Sequence, residues 1–295
     1  MTDQTAGTVS PDVPEIASGS MLAFRFTLRT RQGIHGGVET YDAFGDAGFG
    51  DVTVRLVRPA AAGRDGGFLA LRLADQAENL RGLVHPGLPR LVADGWDEPL
   101  GARFLALEPA AGEKLETRLS RARKLAVDPA LRVFDALCDV VAFLHDHGQV
   151  HLDLSPARVV LCPDGSPFPL KLLDAGRYRA GDSPAPPGTT ETDLGCFAPE
   201  RLRNEPCDAR TDVHGLGAVL YRMLGGHAPF RGTTVAEVLA HRARGVAPLF
   251  AAGVSPADEA DRAARRCLAD DPGRRFATVA DLRAELAALL ARTTP

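Results

Sequence analysis

A chain of 295 residues with a formal net charge of −4 and 45% hydrophobic residues has the length for a sizeable core and the composition of a globular protein. No apolar run approaches the roughly 18 residues of a membrane-spanning helix, the first residues lack the basic-then-apolar pattern of a leader, and the charge forms no basic face, which excludes a membrane span and a nucleic-acid partner as readings. Cysteines at 138, 162, 196, 207 and 267 make no C-x-x-C pair, so a zinc site or disulfide framework is not expected and a reducing cytoplasm is.

Residues 1–20, rich in Thr, Ser, Pro, Asp and Gly, read as a disordered tail. Beyond them, 22–29 alternates apolar and polar residues with the period of a half-buried strand. Further strands are expected at 39–44, 51–58 and 67–73, between Gly-rich turns. Residues 21–108 therefore read as a small, mainly antiparallel β lobe with one short helix and an extra N-terminal strand. From 128 the period becomes helical: Leu131, Phe134, Leu137, Val141 and Leu144 share one face, Asp128-Pro129 reads as the start and Gly148 as the stop. More helices are expected at 211–224, 234–243, 256–268 and 278–291, with Thr234 and Glu237 as a capping box. Residues 109–295 thus read as a larger helical lobe, joined to the first near 108–112, in an α+β architecture without internal repeats.

A series of motifs then accumulates in order. Val150-His151-Leu152-Asp153-Leu154-Ser155-Pro156-Ala157-Arg158 resembles the catalytic loop H-R-D-L-x-x-x-N of protein kinases. Gly45, Ala47, Phe49, Gly50 and Val52 resemble a glycine-rich loop G-x-G-x-F-G-x-V, with Ala47 at the second glycine. Leu69-Ala70-Leu71-Arg72 resembles the third-strand V-A-I-K, and His85-Pro86 the segment after the first helix. Asp174-Ala175-Gly176 resembles D-F-G and Ala198-Pro199-Glu200 keeps A-P-E. Residues 212–217 look like the buried helix that anchors the catalytic loop, and Arg275 matches the arginine that pairs with the A-P-E glutamate. On these motifs, residues 37–291 are similar to the eukaryotic-like (Hanks-type) Ser/Thr protein kinases of bacteria.

The resemblance implies a bilobal kinase-like fold and a set of roles. Asp153 stands at the catalytic-base position and Asp174 at the candidate metal position. Leu107, Glu108 and Ala110 form the hinge, and Val52, Ala70 and Val160 occupy the positions that sandwich adenine. Several positions depart from the pattern. Arg72 stands at the lysine position, where a planar fork does not reproduce a point charge, and no lysine precedes position 114 in a chain with three lysines and 31 arginines. Gln76 takes the place of the helix glutamate, on a helix that the twelve residues between Arg72 and His85 shorten to about two turns, 75–82. Arg158 replaces the metal-binding asparagine; its charge repels magnesium, and it is expected to pair with Asp153 or Asp174 instead. Ser155 replaces a loop lysine, Leu152 the phosphate-receiving arginine, Ala175 the D-F-G phenylalanine, and Asp193 a threonine that supports the base. His145, His147 and His151 do not read as a zinc site. Ser183, Thr189, Thr190 and Thr192 read as a surface loop rather than as phosphorylation sites.

The expectation is a pseudokinase: a cytoplasmic regulatory or protein-interaction module on a kinase fold. It would take ATP or ADP weakly, without the normal dependence on magnesium, and act on a protein partner. The alternative is a low-activity Ser/Thr kinase in which Arg72 grips the phosphates, Asp174 holds one magnesium ion and Asp153 is the base. The sequence names neither the partner nor the oligomeric state; the extra strand and the shortened helix are the surface expected to dock another protein.

Overall fold

The computed structural model describes residues 15–35, 37–46, 48–182, 194–250 and 256–293. The chain divides into two compact units, Met1–Val84 with Pro89–Pro109, and His85–Leu88 with Ala110–Pro295.

The first unit is built on a six-stranded antiparallel sheet: β1 (Met21–Leu22), β2 (Phe26–His35), β3 (Val38–Gly45), β4 (Gly50–Val57), β5 (Leu91–Asp97) and β6 (Ala102–Leu107), in the order β1-β2-β3-β4-β6-β5. Alternation sorts the side chains. Tyr41 pairs with Val54 and Ala43 with Val52, and this face closes a core with Leu22, Phe26, Leu28 and Phe104. The opposite face carries Thr40, which pairs with Arg55, and Thr53. The run 22–29 is not one strand: Ala23 and Phe24 have φ of 52° and 55°, and this left-handed turn separates the short β1 from the ten-residue β2. The Asp97 carboxylate accepts the Ala23 N–H at 2.6 Å and holds the turn.

Between β4 and β5 the chain forms α1 (Gly66–Leu80), where the sequence suggested a strand at 67–73 followed by a two-turn helix. At 15 residues, α1 is about 22 Å long. Phe68, Leu69, Leu71 and Leu73 alternate well enough to imitate a strand. The buried set Leu73, Gln76, Ala77 and Leu80 keeps the helical spacing, and packing of that stripe decides the matter. The helix is therefore not shortened, and the extra strand expected at 22–29 is divided between β1 and the start of β2. Among the described residues, only β1, two residues long, precedes the main strands.

The second unit is helical, with small β ladders. It runs through β7 (Glu113–Lys114), α2 (Leu115–Ala122), α3 (Val127–Asp146), β8 (Gln149–Val150), β9 (Val159–Leu161), β10 (Leu170–Leu172), β11 (Tyr178–Arg179), α4 (Pro199–Leu202), α5 (Ala209–Gly225), α6 (Val235–Arg242), α7 (Pro256–Cys267), α8 (Val279–Glu285) and α9 (Ala287–Thr293). α3 buries Leu131, Phe134, Leu137, Val141 and Leu144 on the anticipated face and begins at Val127, just ahead of Asp128. The expected helix at 278–291 is two, broken at Leu286. Thr234 does cap α6, accepting the Glu237 N–H, but the Glu237 carboxylate turns to Thr233 rather than closing a box.

β9 pairs with both β7 and β10 and leads out of the catalytic-loop segment. Gly112 brings the chain against it: at φ 142°, a Cβ there would lie 2.0 Å from the Leu161 carbonyl oxygen. Gly112→Ala is expected to cost about 1–3 kcal/mol, through displacement of β7 and backbone strain. A melting curve that matches the parent's would contradict this account of the close approach.

Candidate functional site

The segment 150–158 is held by α5. Asp212, fully buried, accepts the N–H groups of His151 and Leu152 at 2.7 Å each and the His145 ring Nε2 at 2.9 Å. Leu152 has φ 57°, a left-handed conformation that a branched side chain adopts only when its surroundings impose it. Those two hydrogen bonds to Asp212 supply the constraint. The Arg201 Nε donates to the Leu152 carbonyl at 3.2 Å and adds to it. His151 takes the Asp153 N–H on Nδ1 at 3.2 Å and lies 2.8 Å from the Leu173 carbonyl through Nε2, so the proton belongs on Nε2. This ring ties the loop to the segment that carries Asp174. Gly215 on α5 completes the fit, since a Cβ there would lie 2.7 Å from the Leu154 Cβ.

These contacts present Asp153, 1% exposed, to two guanidinium groups. Arg158 lies 3.1 Å from Asp153 Oδ2 through both Nε and Nη2, and its Nε is also 3.1 Å from Asp174 Oδ2. Arg177 stands 3.3 Å from Asp153 Oδ2 and 3.8 Å from Asp174 Oδ2. One nitrogen thus bridges two carboxylates, with a second cation beside it. Burial works against the charge on Arg177, but Tyr178, Asp174 and Asp153 outweigh it and hold the guanidinium above its ordinary value. Asp174 has φ 63°, so the backbone is left-handed there as it is at Leu152, the neighbour of Asp153. Asp153 Oδ1 and Ser155 Oγ are buried with no hydrogen-bond partner among the described residues. Sequence reasoning did not single out Arg177. Its signal was the arginine directly after Asp174-Ala175-Gly176.

In the first unit the candidate residues are distributed differently from the sequence reading. Arg72 and Ala70 lie on α1, not on a strand, so neither belongs to a third-strand V-A-I-K. β4 is the long strand that precedes α1, and its Arg55 donates to Gln76 on α1 at 3.2 Å. This strand-to-helix pair stands where kinases join a third-strand lysine to a helix glutamate. Gln76, the residue expected at the helix-glutamate position, thus meets Arg55 rather than Arg72 in this hydrogen bond. Gly45, Phe49 and Gly50 form the β3–β4 turn; Ala47, between them, lies outside the described residues. This turn closes the β3–β4 hairpin, whose β4 also pairs with β6; the preceding β2–β3 hairpin is closed at Gly37. Val52 points into the apolar core, on the face opposite Arg55. Leu107 ends β6, and Glu108 exchanges backbone and carboxylate hydrogen bonds with Arg90. Ala110 opens the second unit, and Val160 is buried on β9. Asp193 and the Ser183, Thr189, Thr190 and Thr192 group lie outside the described residues.

The scaffold below the loop is intact. Glu200 accepts Arg275 Nη1 and Nη2 at 2.7 and 2.8 Å, and the Thr211 hydroxyl at 2.8 Å. Burial opposes the Glu200 charge, but the Arg275 and Thr211 bonds prevail and hold the carboxyl below its usual range. Among the described residues, no group of three or more metal-ligating side chains occurs and no helix is long and apolar enough to cross a membrane.

Comparison with known proteins agrees with this geometry. The protein kinase domain family matches residues 85–285. Serine/threonine-protein kinase PknB of Mycolicibacterium smegmatis is 30% identical over 243 residues, covering 80% of this chain and 38% of that protein. PkaB of Streptomyces coelicolor is 33% identical over 259 residues, 83% of this chain and 59% of its own. The chain therefore spans from about two fifths to three fifths of the length of these relatives. The kinase domain of Mycobacterium tuberculosis PknI superposes with a TM-score of 0.66 over 95% of this chain and all of its own, at 20% identity, a likeness of fold. Catalytic-loop, A-P-E and anchoring-helix motifs, their hydrogen bonds and these relatives converge: the chain belongs to the bacterial Hanks-type Ser/Thr protein kinase family and has its α+β fold.

Proposed function

We propose that this chain is a pseudokinase, a regulatory or protein-binding module on a kinase fold that transfers no phosphate. The observation that carries the reading is the Arg158 guanidinium, 3.1 Å from both Asp153 and Asp174, with Arg177 beside it. In the family, magnesium ions are held by the D-F-G aspartate and the loop asparagine. Here the asparagine is a guanidinium, a donor with no lone pair to offer, and it already engages the aspartates. The residues present do not fit a magnesium ion. Arg55 with Gln76 puts a cation and a neutral amide where the family has a lysine and a glutamate. Leu152 supplies no receiver for a phosphorylated loop. The cations Arg158 and Arg177 support weak binding of ATP or ADP without metal, and the partner is a protein in the cytoplasm.

One set of observations favours a second reading. The relatives above carry kinase names, and Asp153 and Asp174 are both retained, as a low-activity Ser/Thr kinase requires. Thermal unfolding with ATP and ADP, with and without magnesium, separates the two. Ligand at 100-fold its Kd adds about 2.7 kcal/mol to the folded state, a plain shift in Tm. The pseudokinase reading expects no shift or one indifferent to magnesium. A shift that requires magnesium, with transfer from labelled ATP that Asp153→Asn abolishes, would establish the kinase reading instead.

A further inference from the structure

We propose a binding site for a phosphate monoester with an apolar body in the second unit, apart from the Asp153 loop. A cavity of about 360 Å³ opens beside the C-terminal end of α5, a volume within the range of small-molecule sites. Its apolar side is made by Leu224, Leu249 and the Tyr221 ring. Its basic side is made by Lys124, His227, Arg231 and His241, and no Asp or Glu is among its lining residues.

None of those bases makes an ion pair among the described residues. Other arginines of this unit are committed to carboxylates, as Arg158, Arg222, Arg265 and Arg275 are. Lys124 and Arg231, by contrast, make no ion pair among the described residues. His241 Nδ1 is buried with no hydrogen-bond partner among them, an orphaned polar atom beside an open cavity. His227 uses Nδ1 on the Ala228 carbonyl at 3.0 Å and packs edge-on against Tyr221, which leaves its Nε2 for a ligand. Asp261, the carboxylate that bears on Tyr221, is engaged through Oδ2 by the Leu249 N–H at 3.3 Å and Arg265 at 3.0 Å.

A simpler role for the bases would be to neutralise the carbonyl end of α5. That end is closed by backbone donors: Gly226 N–H caps the Arg222 carbonyl at 3.0 Å and Leu125 N–H reaches the Met223 carbonyl at 2.8 Å. Two fixed cations and two imidazoles opposite an apolar wall suit a dianionic head on a hydrophobic group. A phosphate monoester has that charge and that number of acceptor oxygens.

The test uses phenyl phosphate as probe, with inorganic phosphate, phenol and benzoate for its parts. Binding is read from the ring resonances of His227 and His241, assigned through His227→Gln and His241→Gln, in the full chain. Phenyl phosphate is expected to shift both rings and to bind at least about tenfold tighter than benzoate, inorganic phosphate or phenol. Lys124→Ala and Arg231→Ala, at exposed positions, are each expected to weaken it by about tenfold with no change in Tm. Unmoved histidine resonances at millimolar probe would overturn the proposal. So would equal binding by the Lys124→Ala/Arg231→Ala double variant, or benzoate or inorganic phosphate binding as tightly as phenyl phosphate.

Discussion

Arg275→Met is expected to lower the Tm of this protein by on the order of 10 °C. Glu200 is 6% exposed and receives both arms of the Arg275 fork, so the substitution leaves a carboxylate stranded among apolar groups. Breaking a buried pair in this way costs about 3–5 kcal/mol, and each kcal/mol moves Tm by about 2–4 °C in a unit of this size. The pair ties α4 to the segment before α8, and Thr211 extends it to α5, the helix that anchors the catalytic loop. The loss should therefore propagate to the Asp212 contacts. Glu200→Gln together with Arg275→Met is expected to recover part of the loss, because no charge is then left unpaired. Acid acts on the same pair. The folded-state pKa of Glu200 lies below its unfolded value of about 4.3, so its stabilisation is complete above that pH and drains as pH falls through the folded-state value. Melting curves from pH 3 to 7 should show a steeper acid slope for the parent than for Arg275→Met. A drop below about 2 °C at neutral pH, with parallel acid slopes, would show that the pair is not what holds α4.

The second large effect concerns the arginines at the loop. Arg158→Asn with Arg177→Gln is expected to melt well below the parent in metal-free buffer and to regain stability when Mn²⁺ or Mg²⁺ is added. Asp153 and Asp174 lie close enough for a single Arg158 nitrogen to reach both. Without a cation between them the two carboxylates repel, and they must bind a proton or a divalent ion to relieve it. The parent, whose arginines already supply that charge, is expected to show no metal-dependent rise in Tm. Titration of the variant followed by the free Mn²⁺ resonance signal gives the binding directly. Metal indifference of the double variant, or a metal response of the parent equal to the variant's, would remove the arginine bridge from the account.

Much of the second unit was legible in the chain because its signals are short and local. The stripe on α3, the A-P-E segment and the Asp153 loop each lie within a few residues, and the pairing of Glu200 with Arg275 follows once those motifs are aligned. The first unit was not legible in the same way. A period-2 pattern marks a strand but carries no label for its place in a sheet, so the Gly45 turn was assigned to the wrong hairpin. The segment Phe68-Leu69-Ala70-Leu71-Arg72-Leu73 satisfies two periods at once, and only the packing of Leu73, Gln76 and Leu80 chose the helix. That choice moved the basic partner of Gln76 from Arg72 to Arg55, which lies 21 residues away in sequence.

By itself the sequence determined the family, the helical second unit and the residue identities of the Asp153 loop, because these are matters of residue identity at fixed local spacing. Tertiary structure alone decided the register of the sheet, the partner of Gln76 and the joint hold of Arg158 and Arg177 on Asp153 and Asp174. Those are contacts between segments, and their energy depends on distances of a few ångströms that no spacing along the chain encodes.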